Sequence, residues 1–234
     1  MTMSLLSVEN DKTNSPDLYN KYRPRDFDYV LGNDVTVHTL EALLQNPEAM
    51  PHLLLFVGPS GCGKTTLARI VAAKLGVTDL DWREIDASTD GSLDDIRNIR
   101  YNMHYGAVGG RFRIWFIDEC SRLSDGAMHA LLKTTEDCPP HVIFMLATTE
   151  HQKLPPTLRN RCSVFSVDPL REKDMRDLLS YVLKKEQRSI TPEAMTAIIE
   201  NAYGSPRQGL VFLGQIINLP PKLMAAAVNR AALR

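Results

Sequence analysis

Gly58-Pro59-Ser60-Gly61-Cys62-Gly63-Lys64-Thr65 is the stretch that decides the fold. It satisfies the pattern G-x-x-x-x-G-K-[ST] at every defined position. Immediately before it, Leu53-Leu54-Leu55-Phe56-Val57 is a short apolar run that reads as a buried strand. Immediately after it, residues 65–75 carry apolar positions at helical spacing. Strand, glycine-rich turn and helix together are the context in which this pattern binds phosphate. The glycines let backbone N–H groups face phosphate oxygens, and the positive end of the helix dipole adds to the attraction. Lys64 can reach the β- and γ-phosphates, and the Thr65 hydroxyl can bind Mg²⁺. The candidate nucleotide-binding loop therefore runs from Gly58 through Thr66, and ATP with Mg²⁺ is the expected ligand pair.

A second segment, Ile114-Trp115-Phe116-Ile117-Asp118-Glu119, supplies the other half of such a site. An apolar strand ending in two carboxylates places Asp118 near the metal and Glu119 near an attacking water. Asp118 is expected to help hold Mg²⁺, partly through water, and Glu119 to orient and polarise that water. A kinase-type site needs only the first carboxylate, so the adjacent Glu119 favours a hydrolase.

Further strands are expected over 113–117 and 142–147, and helices over 36–45, 94–103 and 125–136. Strands alternating with helices imply an α/β fold, a parallel sheet with helices on both faces. Beyond Asp168-Pro169 only helical signals occur, over 172–185, 192–201, 207–217 and 222–233. Thr191 as N-cap with Pro192 at the first helical position marks one start plainly. The reading is a mobile N-terminal lead-in over 1–18, a nucleotide-binding core over 19–169, a helical lid over 170–219 and a short final helix over 220–234.

Composition adds limits. The chain has 234 residues, 44% of them apolar, and a net charge of −1. That balance gives no support of its own for a nucleic-acid partner, although basic residues on one face can still bind phosphates. No run of 18 apolar residues suggests a membrane span. Cys62, Cys120, Cys138 and Cys162 form no C-x-x-C pair and suggest a reducing, cytoplasmic compartment, nucleoid-associated or that of a viral host.

Taken in order, these segments resemble the AAA+ clamp-loader family, that is, the small subunits of replication factor C and the bacterial gamma/tau subunit. The likeness runs from Tyr19 to Gly214. Tyr22-Arg23-Pro24 lies in a KYRP segment similar to the family's adenine-side motif. Asp118-Glu119-Cys120 looks like its DExx box. Ala147-Thr148-Thr149-Glu150, followed by Gln152-Lys153-Leu154-Pro155, resembles the end of its sensor 1 strand. Asn160-Arg161-Cys162 resembles its Ser-Arg-Cys motif, and Gly204-Ser205-Pro206-Arg207 the start of its sensor 2 helix. The resemblance implies an AAA+ fold with a helical lid. It also implies that Tyr22, Arg23 and Pro24 border the base, that Thr149 rather than Thr148 senses the γ-phosphate, and that Arg207 reaches the phosphates from the lid. Arg161 would be an arginine finger serving a neighbouring subunit. A guanidinium suits that role, because phosphoryl transfer places negative charge on the γ-oxygens.

By the same resemblance the activity is ATP hydrolysis coupled to loading a sliding clamp at primer–template DNA, within an oligomer of clamp-loader subunits. The segment from Asp86 through Arg97 resembles the part of the family that lines the DNA channel. Arg97 and Arg100 share a helix face, with Lys133 on the next helix a weaker candidate. Such contacts would be to phosphate and independent of sequence. Asp94 and Asp95 offer these arginines a competing, purely structural partnership. No aromatic stripe is evident, which fits a duplex reader better than a single-strand binder.

Two other functions compete: a non-catalytic ATP-binding scaffold of the same assembly, and a different DNA-directed AAA+ machine such as a helicase loader or branch-migration motor. The intact Lys64, Thr65, Asp118 and Glu119 argue against the first, and the KYRP and NRC segments against the second. Three departures from the family stand out, the first being the absence of the bacterial subunits' cysteine-rich zinc insertion between the phosphate loop and Asp118. Asn160 replaces serine, and the sequence reaches Arg234 with room for one helix where family members continue into a collar domain. Reliance on another subunit, truncation and a compact phage-like form are the three arrangements open.

Overall fold

The computed structural model describes residues 17–89 and 91–233. Residues 1–16 of the expected lead-in, Asp90 and Arg234 lie outside the described residues. A short helix α1 (Leu18–Lys21) precedes α2 (Asp34–Leu44). The chain then alternates through β1 (Leu53–Val57), α3 (Lys64–Lys74), β2 (Trp82–Asp86), α4 (Leu93–Asn102), β3 (Arg113–Asp118), α5 (Asp125–Glu136), β4 (Val142–Thr148), α6 (Pro156–Arg159) and β5 (Ser163–Ser166). Four helices follow: α7 (Glu172–Glu186), α8 (Pro192–Ala202), α9 (Pro206–Ile216) and α10 (Pro221–Ala232).

The five strands form one sheet in the order β2-β3-β4-β1-β5, every neighbouring pair parallel. In β1, β3 and β4 nearly every residue is buried, because helices cover both faces. Leu54, Phe56, Ile114, Phe116, Ile143 and Met145 point to one side, into a core completed by α2 and α3. Leu53, Leu55, Trp115, Ile117, Phe144 and Leu146 point to the other, against α4 and α5. Each apolar run thus feeds two cores through strand alternation.

Two strands were not expected. β2 (WREID) and β5 (SVFS) are the edges of the sheet, and each exposes part of its length. Their polar residues face water, so neither shows the continuous apolar run that marks a central strand. The helix starts follow their caps. The Thr191 hydroxyl accepts from Ala194 N (3.2 Å) with Pro192 at the first position of α8. Ser92 and Asp95 form a reciprocal capping box at α4.

A third core joins α7 through α10, and two features of it bear on the site. Met224 and Val228 of α10 are buried in the same cluster as α8 and α9, so the last helix is part of this bundle. Leu18 of α1 is buried there as well, so the N-terminal segment crosses from the sheet domain to the helical one.

The loop between α4 and β3 is tied down by Asp81, whose carboxylate is fully buried. Its oxygens accept from Val108 N (2.8 and 3.0 Å) and Gly109 N (2.7 Å), and Arg113 Nη2 stands 3.5 Å away. Burial alone would raise the carboxyl, but the two backbone donors and the guanidinium outweigh it and hold it below the ordinary range. A carboxyl lower in the folded chain than its unfolded value, near 3.9, stabilises the fold fully above that value, and the stabilisation is lost as pH falls through the folded value. Asp81→Asn is therefore expected to lower stability at pH 7 by about 3 kcal/mol. It should also flatten the acid side of the stability curve below about pH 4. Denaturant melts across pH 2–7 test both; an unchanged acid limb would remove Asp81 from the linkage.

Candidate functional site

The carboxyl ends of β1, β3 and β4 converge, and the candidate residues lie there. The loop after β1 turns through Gly61 (φ 75°) and Gly63 (φ 113°), both in the left-handed region that side chains resist. Gly58 is needed for a different reason: a Cβ there would stand 2.0 Å from the carbonyl oxygen of Val167. Lys64 opens α3 and is almost fully buried. Its Nζ donates to Gly58 O (2.8 Å) and Pro59 O (3.0 Å). Desolvation pulls its ammonium down, while the Glu119 and Asp118 carboxylates oppose that shift.

The Thr65 hydroxyl donates to Asp118 Oδ2 (3.1 Å), and Glu119 N donates to Asp118 Oδ1 (2.9 Å). A hydroxyl and a carboxylate facing each other at that distance are hard oxygen donors of the kind Mg²⁺ takes, so these residues fit the ion. Glu119 is in the left-handed region (φ 47°), a conformation that costs a non-glycine residue on the order of 1 kcal/mol. It swings the side chain from the end of β3 toward β4. There Oε2 accepts from Thr149 Oγ1 (3.1 Å) and Thr149 N (3.4 Å). Thr148, by contrast, is fully buried, donating to Ser121 Oγ (2.9 Å) and accepting from Glu150 N (2.9 Å). Of the two threonines, Thr149 is the one beside a carboxylate at the site.

The cleft above the loop has a polar floor and an apolar wall that includes Val30, Leu31, Leu170 and Leu178. Tyr22, Arg23 and Pro24 line it, together with Ser60 through Thr66, Asp118 and Glu119. Arg23 Nε donates to Thr66 Oγ1 (3.1 Å), which ties the KYRP segment to α3. Burial pulls the Arg23 guanidinium down. The Tyr22 hydroxyl donates to Glu186 Oε1 (2.5 Å) on α7. Burial first, and Glu186 second, push that phenol up.

Arg207 reaches the cleft from the start of α9. The Ser205 hydroxyl caps that helix, and a Cβ on Gly61 would meet it at 2.4 Å, so the helical bundle touches the phosphate loop directly. Arg207 Nη2 donates to the Tyr19 hydroxyl (3.0 Å), with the guanidinium 4.9 Å from the ring centre. Arg23 lies 5.9 Å from the same ring. Tyr19 was missed by sequence reasoning: its partner is 188 residues away, and no local pattern marks it.

Arg161 is not in this cleft. It follows α6, exposed, with Nη2 on Glu136 Oε1 (2.8 Å) at the end of α5. The proposed DNA residues are likewise apart from the cleft. Arg97 pairs with Asp94 (3.1 Å) and Arg100 faces Asp137 (3.7 Å), while Asp95 is used in the capping box. Lys133 is exposed on α5. Arg97 and Arg100 share a surface hollow with Tyr101, His104 and Tyr105. The two tyrosines are 70% and 55% exposed, their rings 6.1 Å apart edge to face. No aromatic stripe was expected, and these two tyrosines, packed against each other, are exposed aromatics beside Arg97 and Arg100. Tyr101 lies on α4 four residues after Arg97, and Tyr105 follows in the turn beyond the helix.

No cysteine is set up as a nucleophile. Burial pushes the Cys138 and Cys162 thiols up to about 11, and Cys62 and Cys120 are raised as well.

Residues 77–171 match the family described as DNA polymerase III, delta subunit. The chain is 34% identical to DNA polymerase III subunit gamma of Buchnera aphidicola, over 86% of this chain and 61% of that one. It is 35% identical to the tau subunit of Escherichia coli, over 86% of this chain and 34% of that one. The chain thus spans between a third and three-fifths of the length of these relatives. Among solved structures, RuvB of Thermotoga maritima, the Holliday junction branch migration motor, superposes with a TM-score of 0.73. At 21% identity, over 89% of this chain and 72% of that one, it shows a shared fold.

Lys64 and Glu119 occupy different parts of the cleft, so their losses should differ. Lys64→Ala is expected to abolish binding of a fluorescent ATP analogue. Glu119→Gln should leave binding intact and slow hydrolysis by about 10²–10⁴-fold. Hydrolysis by Glu119→Gln at the wild-type rate would remove Glu119 as the base.

Proposed function

We infer that the chain belongs to the AAA+ family of P-loop proteins, and it is similar in sequence to the gamma and tau subunits of DNA polymerase III. From that premise we propose that it is an ATP-hydrolysing subunit of a loader that places a sliding clamp at primer–template junctions. The observation that carries this reading is the convergence of Lys64, Thr65, Asp118, Glu119 and Thr149 at three strand ends, with Arg207 approaching from the helical bundle. The core over 19–169 then holds the nucleotide, and the lid over 170–219, with α10 packed into the same bundle, closes on it.

Each group has a task set by its position. Lys64 exchanges the carbonyls of Gly58 and Pro59 for phosphate oxygens. Thr65 and Asp118 would hold Mg²⁺, which would supply positive charge against the phosphates. Glu119 takes the attacking water, and Thr149 lies where it can report on the γ-phosphate and release that carboxylate. Arg207 leaves Tyr19 to bring a positive charge to the phosphates from the lid. Arg161, outside its own cleft, serves the cleft of the next subunit, so the active form is an oligomer. Its partners are other loader subunits, a sliding clamp and primer–template DNA, in the cytoplasm at the nucleoid. Among the described residues no helix is long and apolar enough to cross a membrane.

Steady-state hydrolysis should rise when primed DNA and a sliding clamp are added together, and the clamp should be captured only with ATP. If neither addition changes the rate and no clamp is captured, the loader reading fails. Mixing Arg161→Ala protein with Lys64→Ala protein should restore activity well above either alone. A trans arginine contributes on the order of 10³–10⁵ in rate where such fingers have been studied. Inactivity of a mixture that still co-assembles would refute action in trans.

Arg97 and Arg100 are proposed to contact duplex phosphates, exchanging Asp94 and Asp137 for them. Neutralising both should weaken binding equally for unrelated duplexes and reduce the salt slope by up to about 2. An unchanged slope would take both residues off the DNA face.

A further inference from the structure

Arg161 stands on a rigid pedestal. Its backbone N–H donates to Leu158 O (3.0 Å), and the next N–H, of Cys162, donates to Arg159 O (3.2 Å). Cys162 Sγ lies 3.2 Å from Leu158 O, and Leu158 is fully buried. The main chain here is fixed to the core under α4 and α5. The side chain is a different matter. It is 43% exposed, and a long exposed arginine samples many rotamers unless something selects one. Among the described residues, its ion pair with Glu136 is what selects one.

Two features of that pair matter. Glu136 is the last residue of α5, so its own backbone is held by a helix packed on α4. The contact uses Nη2 alone, at 2.8 Å. A guanidinium carries five donors in a planar fork. A carboxylate holding one corner leaves the remaining edge free to meet a phosphate. A bidentate pair would have consumed the fork and masked the arginine.

We propose that Glu136 is a positioning residue for Arg161: it sets the guanidinium's rotamer before a neighbouring subunit's γ-phosphate arrives and keeps one corner while the other edge engages. This inference rests on the reading that Arg161 acts in trans. It adds that the acidic residue must be on the subunit that donates the arginine, 25 residues back in the same chain. An exposed ion pair is worth at most about fivefold in an equilibrium constant, so the effect is a tuning of the finger and far smaller than loss of the finger itself.

The test uses full-length chains in mixed assemblies, with primed DNA and clamp present. The acceptor carries Arg161→Ala and an intact phosphate loop. The donor carries Lys64→Ala and an intact Arg161. Glu136→Gln, which keeps the reach and removes the charge, is placed on one partner or the other. On the donor it should lower the complemented kcat about three- to fivefold with the KM for ATP unchanged. On the acceptor it should change neither. Added to a donor that also lacks Arg161, it should have no further effect. Melting temperatures confirm folding, which an exposed site should preserve. Equal losses from both placements, or a loss that persists without Arg161, would overturn the positioning role while leaving the trans arginine standing. No complementation even with Glu136 intact on both partners would overturn both.

Discussion

The site depends on how tightly the end of β1 is held from both sides. Gly58 N donates to Thr148 O (3.2 Å) on the β4 side, and Val167 N donates to Val57 O (2.7 Å) on the β5 side. The Val167 carbonyl comes so close to Gly58 that no side chain fits between them. That contact joins the phosphate loop to the start of the connection into the helical bundle. It also fixes the loop between two parallel neighbours, where ligands bind in open α/β sheets. With β1 fixed, β4 brings Thr149 alongside, and β3, one strand further, brings Asp118 and Glu119.

A second regularity concerns charge. Each proposed working group already has a partner within the chain. Lys64 has two carbonyls, Thr65 has Asp118, Glu119 has Thr149, Arg207 has Tyr19 and Arg161 has Glu136. Most of these partners are neutral or solvent-exposed, so each hold is weak. A buried cation such as Lys64 left without acceptors would be costly, yet one locked in a buried carboxylate pair would not exchange. Carbonyls, a phenol and an exposed glutamate lie between those extremes. They keep the groups ordered at small cost: the carbonyls and the phenol can surrender theirs to a stronger anion, and the glutamate, bound at one corner, leaves an edge of its arginine free for one.

The central strands, the glycine-rich loop and the helical C-terminal part were legible because each follows from local rules: apolar runs buried on two faces, glycines where φ is positive, caps with proline at the first position. The edge strands were not legible, since Trp82–Asp86 and Ser163–Ser166 pair on one side only and mix polar with apolar residues. Candidate residues inside motifs could be named from sequence. Their holding partners could not: Tyr19 and Glu186 lie at the far end of the chain from what they touch, and nothing local ties Glu136 to Arg161. The exposed Tyr101 and Tyr105 carried no motif.

The short segment from Leu18 to Arg23 is a crank between two bodies. One end is embedded in the helical bundle, where Leu18 is buried and Lys21 and Tyr22 both bond Glu186 of α7. The other end is pinned to the sheet domain by Arg23 on Thr66 of α3. One peptide bond separates the last bundle anchor, Tyr22, from the pin at Arg23. Rotation of the bundle relative to the sheet therefore cannot be absorbed by slack in this segment; it must turn the backbone about that link and carry the first turn of the chain along. Residues 18–22 are thereby geared to the helical bundle, and their angle against the sheet changes whenever the bundle turns.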